Sequence, residues 1–196
     1  MIFPIVAYGD PVLKKVGVEI DKNYPGLEQF IADMFETMYD ASGVGLAAPQ
    51  VGKSIRLFIV DASPFADDKD DDGNPLEEYK GLKDLKKVFI NAKILEEKGE
   101  EWKFNEGCLS IPKVREDVFR LPKIRIQYYD EHFKRHEETY EGVAARIIQH
   151  EYDHIDGKLF IDRINPMRRK MLKGKLDDIT KGKIDVAYKM KFPKRK

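Results

Sequence analysis

Apolar positions along the chain follow two different periods. In residues 27–39, Leu27, Phe30, Ile31, Met34 and Met38 recur at steps of three and four, which predicts a helix with one buried face. The stretch that follows, residues 42–50, holds two glycines and a proline and is excluded from being a regular helix or a central strand. Branched and aromatic runs at residues 55–60 and 88–90 predict strands, with a surface loop at 61–81 between them. Residues 123–129 alternate charged with apolar side chains, as a half-buried strand does, and residues 131–140 are expected to return as its partner. A second helix is predicted from Gly142 to Gly157, where glycine suits a left-handed cap. Asn165 and Pro166 open a last helix as N-cap and first turn, with Met167, Met171 and Leu172 as its expected apolar side. The chain has no internal repeat.

Composition narrows the class. The 196 residues are 42% apolar and 36% charged, enough apolar material for one cored domain and too much for disorder throughout. Basic and acidic residues balance at 35 each, but residues 163–196 carry 13 basic and 3 acidic side chains, a net of +10. The rest carries −10, so a basic C-terminal helix or tail over 165–196 is expected on an acidic body over 1–164. The single cysteine, Cys108, forbids an internal disulfide and fits a reducing compartment. The opening residues have no basic lead, and no apolar run approaches the ~20 residues that span a bilayer, so a cytoplasmic protein without a membrane partner is expected.

Candidate chemistry concentrates in His150-Glu151-Tyr152-Asp153-His154. Four residues apart on a helix, two imidazoles share a face and can hold one metal ion, leaving the glutamate between them free to act as a base. A catalytic site needs a third ligand. His132 and His136 are also four apart, but in a hairpin that spacing gives no shared turn. A lone cysteine is usually a small buried hydrophobe, and Cys108 becomes the better candidate through its neighbours, Asn105 to Pro112. Residues 68–73, Asp-Lys-Asp-Asp-Asp-Gly, resemble a calcium loop. The twelfth position is Tyr79 where such a loop needs a bidentate glutamate, and Pro64 and Pro75 crowd the flanks, so a hydrated acidic loop is expected instead.

Three segments together resemble the signature motifs of the peptide deformylase family, in the family's order and at comparable spacing: Gly43-Val44-Gly45-Leu46-Ala47-Ala48-Pro49-Gln50, Glu106-Gly107-Cys108-Leu109-Ser110 and Gln149 to His154. The likeness extends from about Pro4 to Ile164, which makes the body over 1–164 the catalytic domain; the acidic loop and the very basic tail depart from it. It implies an α+β fold in which antiparallel strands pack around a central metal-binding helix. It also implies metal ligation by Cys108, His150 and His154, with a water in the fourth position and Glu151 as general acid and base. One divalent ion is implied, ferrous iron first, with zinc, nickel and cobalt open because thiolate and imidazole suit them all. By the same likeness, the Gln50 side chain and the Leu109 backbone N–H receive the developing oxyanion, and the backbone at Val44, Gly45 and Gly107 pairs with an extended peptide. Val143 and Ile147, with Val44, would line a methionine pocket, and Arg115 would lie near the peptide's distal end. The implied reaction is hydrolysis of the formyl group from N-formylmethionyl peptides, releasing formate, with the basic tail docking on the ribosome. Two rival readings remain from the residues alone: a zinc endopeptidase built on the same helix, and a catalytically silent RNA-binding module working through the tail.

Overall fold

The computed structural model describes residues 1–66, 79 and 81–193. The calcium-loop lookalike at 68–73 lies outside them.

Strands β2 (Gly45–Ala47), β3 (Leu57–Asp61), β4 (Lys86–Lys98), β7 (Lys123–Tyr129) and β8 (Arg135–Glu141) form one antiparallel sheet in the order β2-β3-β4-β7-β8. Helix α1 (Leu27–Asp40) buries the predicted stripe of Leu27, Ile31, Met34 and Met38, while Phe30 stays partly exposed. Because successive strand residues face opposite sides, Leu57 and Ile59 of β3 pack with α1, and Phe58 and Val60 pack on the other face with Ile148 of helix α2 (Gly142–Ile155). Every residue of β3 is therefore buried, which is why it reads as a continuous apolar run rather than an alternating one.

Helix α2 is central. Val143, Ala145, Ile148 and Ile155 are buried, and so are Arg146, Gln149, Glu151, Asp153 and His154. It ends at Ile155, two residues before Gly157, which adopts the predicted left-handed conformation at φ +70° just beyond the cap. On the side away from the large sheet stands the hairpin of β5 (Trp102–Cys108) and β6 (Ile111–Arg120). A third core joins Ile111 and Val118 of β6 to Leu13, Phe160, Leu172, Leu176 and Ile179. The last two come from helix α4 (Lys173–Thr180), and Leu172 joins it to helix α3 (Pro166–Met171), so the basic C-terminal stretch shares a core with the body. Beyond α4 the chain returns as β9 (Met190–Lys191), pairing in parallel with β1 (Ile5–Val6).

Several expectations change. Met167 and Met171 are not the apolar side of α3: they are 72% and 69% exposed, and only Leu172 turns inward. The strand at 88–90 extends to Lys98 through a charged half that pairs with β7. The hairpin return begins at Arg135, because residues 130–134 form a turn in which the Asp130 carboxylate accepts from the His132 and Lys134 amides and Phe133 has φ +56°. Segment 42–50 becomes the short edge strand β2 and a 3-10 turn at Ala48–Val51, consistent with its glycines and proline.

Candidate active site

The first turns of α2, the end of β5 and the stretch from β2 to the 3-10 turn converge on a cavity of about 710 Å3. Along α2, Val143, Ile147, His150, Glu151 and His154 follow steps of three and four and so share a face. Cys108 is the last residue of β5 and sits where the tight Leu109-Ser110 turn begins. Its Sγ lies 3.3 Å from His154 Nε2, and one ligating atom each from Cys108, His150 and His154 lie within 4.8 Å of one another. Among the described residues this is the only such cluster.

Charge around the cluster is built in. His150 Nδ1 lies 2.9 Å from Glu106 Oε2, so the carboxylate fixes the ring and leaves Nε2 for the centre. Arg120 donates to both Glu106 oxygens at 2.7 and 2.9 Å and to Asp153 at 2.7 Å; Arg146 donates to Glu106 at 2.9 Å; Arg163 grips both Asp153 oxygens at 2.6 Å. Burial works against charge on Glu106, yet Arg120 and His150 hold its carboxyl well below the usual range. Burial likewise works against a thiolate, but His154 and His150 bring the Cys108 thiol down to about 5. A thiolate beside two imidazoles is the donor set of a borderline or soft divalent ion, and the oriented shell fits one.

Glu151 stands apart from that shell. It is 5% exposed, its Oε2 has no hydrogen-bond partner among the described residues, and burial pushes its carboxyl up to about 7 against the pull of His150 and His154. Gly45 makes room for it: a Cβ there would meet Glu151 Oε1 at 2.5 Å. Gln50 is oriented from both ends, its Oε1 accepting from the Ala47 amide at 2.9 Å and its Nε2 reaching Ser110 Oγ at 3.3 Å and Cys108 Sγ at 3.5 Å.

Every predicted site residue except His154 lines the cavity, and His154, 1% exposed, touches Cys108 from behind it. Arg115 is pinned by Asn105, donating to its side chain at 2.8 Å and its carbonyl at 2.6 Å, and its guanidinium lies over Gly107. Among the described residues, strands β2 and β5 each keep one unpaired edge, and Gly45, Asn105 and Gly107 on them border the cavity. His132 and His136 stay in the β7–β8 hairpin. Sequence reasoning quoted Glu106 and Asp153 without giving them a role, and missed Arg120, Arg146 and Tyr188. The only signal for Arg120 was alternation in β6, where Glu116 and Arg120 occupy inward positions that normally carry apolar side chains.

A family model described as polypeptide deformylase matches residues 2–170. A Christiangramia forsetii protein named peptide deformylase is 60% identical over 196 residues, covering 100% of this chain and 98% of the relative. One from Flavobacterium psychrophilum, with the same name, is 59% identical over the full length of both. A crystal structure of a peptide deformylase from Legionella pneumophila superposes with a TM-score of 0.75 at 37% identity, covering 93% of this chain and 98% of that one.

Proposed function

The chain belongs to the polypeptide deformylase family, metal-dependent hydrolases that remove the N-formyl group from nascent polypeptides, and from that premise we propose how its residues divide the work. Cys108, His150 and His154 hold one divalent ion, ferrous iron in the native protein, with zinc, nickel or cobalt able to replace it. When bound, the ion supplies Lewis acidity, which polarises a carbonyl and lowers a water's pKa from about 15.7 to about 7.

The chain's own groups do the rest. Glu151 takes a proton from the attacking water and delivers it to the amine as the C–N bond breaks, leaving formate and a free N-terminal methionine. Gln50 Nε2 and the Leu109 N–H donate to the formyl oxygen as it becomes negative. The open edges of β2 and β5 receive the peptide as an added strand through the backbone at Val44, Gly45 and Gly107. Val44, Val143 and Ile147 accept the methionine side chain, and Arg115 meets the distal part of the peptide. The observation that carries this reading is the clustered Cys108, His150 and His154 beside a buried Glu151 whose Oε2 has no hydrogen-bond partner among the described residues.

The test is formate release from formyl-Met-Ala-Ser by protein purified without air, with and without chelator. Rapid release abolished by chelator is expected. Cleavage of internal bonds in an unformylated peptide instead would overturn the assignment in favour of an endopeptidase.

The finer partner is the ribosome. Arg163, Arg168 and Arg169 are paired with Asp153, Glu116 and Asp162, while Lys170 of α3 and Lys173 of α4 are exposed. These exposed lysines dock on ribosomal RNA in the cytoplasm, where nascent chains emerge. Salt-dependent ribosome binding weakened in a Lys170→Glu, Lys173→Glu variant is expected; unchanged affinity would remove the docking role. Among the described residues, no helix is long and apolar enough to cross a membrane.

A further inference from the structure

The Leu109-Ser110 turn is held by both ends of the chain. Tyr188 donates its hydroxyl to the Leu109 carbonyl at 2.8 Å, and the Tyr8 amide donates to the Ser110 carbonyl at 2.8 Å. These two contacts come from one small assembly. Tyr8 follows β1, Tyr188 precedes β9, and the two strands pair, with Ile5 donating to Lys189 at 2.8 Å and Ala7 to Lys191 at 2.9 Å. The Leu109 side chain is confined as well, since a Cβ on Gly43 would meet its Cδ1 at 2.9 Å. The Tyr188 ring packs in the same apolar cluster as Leu109, and Val186, Ala187 and Tyr188 line the active-site cavity. All three residues lie beyond the stretch matched by the family model.

We infer that residues 186–188 complete the active site, and that Tyr188 is a positioning residue whose hydroxyl, by holding the Leu109 carbonyl, aims the Leu109 N–H at the formyl oxygen. The inference rests on the proposed role of that N–H. A two-residue turn has few contacts of its own, so rotation of its peptide planes is limited mainly by what takes its carbonyls. The Leu109 N–H lies in the Cys108–Leu109 peptide, one plane before the carbonyl that Tyr188 holds. With Ser110 fixed by Tyr8 and Gln50, holding that carbonyl restricts rotation about the Leu109 Cα and so the direction of the neighbouring N–H. An oxyanion donor is effective only when it is already aimed, because reorganising it during reaction raises the barrier. Tyr188 acts at that point without touching the substrate's reacting atoms.

Tyr188→Phe removes the hydroxyl and keeps the ring. Assayed on formyl-Met-Ala-Ser, it is expected to lose about tenfold in kcat, the scale of a modest misalignment, with KM, bound metal and thermal midpoint unchanged. Glu151→Gln is assayed beside it. Unchanged kcat in Tyr188→Phe beside an inactive Glu151→Gln would overturn the positioning role alone. A fall in kcat matched by loss of metal or by a lower thermal midpoint would reduce Tyr188 to an anchor of the C-terminal stretch, also overturning it. A fully active Glu151→Gln would instead overturn the underlying reading of the site.

Discussion

Two pairs of histidines in this chain have the same spacing and different fates. His150 and His154 lie on α2, their ring centroids 5.2 Å apart, with Cys108 beside them and a carboxylate behind one ring. His132 and His136 straddle the end of a turn: His132 is exposed, and His136 sits in β8, stacked on Tyr128 at 5.2 Å and 2.6 Å from the Asp130 carboxylate. A step of four brings side chains together only where the backbone turns once in 3.6 residues. Even then it makes a site only where other elements bring further donors. The motif is thus legible on a helix and empty in a hairpin.

The sharpest test of that contrast is to remove one member of each pair. His154→Ala is expected to lose both bound metal and formate release to background, and His136→Ala to keep both, as read by metal analysis and turnover. Metal loss in the hairpin variant would show that spacing alone had been the better guide. The next largest effect separates binding from chemistry on the helix itself. Glu151→Gln should retain metal while kcat falls about 10²–10⁴-fold, the range for loss of a general acid-base group; near-normal turnover would remove Glu151 as the base.

The same contrast explains what the sequence made legible. Helix α1 and β7 were readable because each buries one face at a regular period, and the residues around the metal cluster were readable because three short motifs carry them. The hairpin of β5 and β6 was not. Its inward positions at Glu106, Glu116 and Arg120 carry charges, so the alternation of β6 does not look hydrophobic; these charges are buried because their partners, His150, Arg146, Arg168 and Asp153, come from elements far along the chain. Tyr188 was invisible for a similar reason: a tyrosine among lysines gives no hint that a strand pairing with β1 will swing it onto Leu109. The apolar reading of Met167 and Met171 failed in the opposite sense, since α3 buries none of its own residues and only Leu172, at its cap, reaches the core.

A smaller effect is expected from the carboxylate behind each histidine pair. Glu106→Gln keeps the shape and removes the charge that orients His150, so metal affinity should weaken about 10–100-fold, the usual cost of losing such a partner. Asp130→Asn, the matching change beside His136, should leave metal affinity where it was. Chelator competition measures both; equal losses in the two variants would erase the distinction between the sites.

The smallest effect lies in the hairpin and concerns stability alone. Glu138 of β8 accepts from Lys87 at 2.8 Å, from Tyr128 at 2.7 Å and from Tyr140. Burial works against its charge, but the Lys87 ammonium and the two hydroxyls bring its carboxyl from an ordinary 4.5 to about 2. A carboxyl with a lower pKa folded than unfolded binds fewer protons in the native state. Its contribution to stability is therefore complete above about pH 4.5 and is lost as the pH falls toward about 2. Thermal midpoints measured from pH 5 down to pH 2.5 should fall more steeply for the wild type than for Glu138→Gln, which has no proton to take up at that position. The difference between the two curves should be the same with chelator present, because the hairpin's electrostatics do not involve the ion held by α2. Parallel curves would mean that Glu138 is held no more tightly folded than unfolded. A difference that vanished with chelator would mean that the two regions are coupled after all.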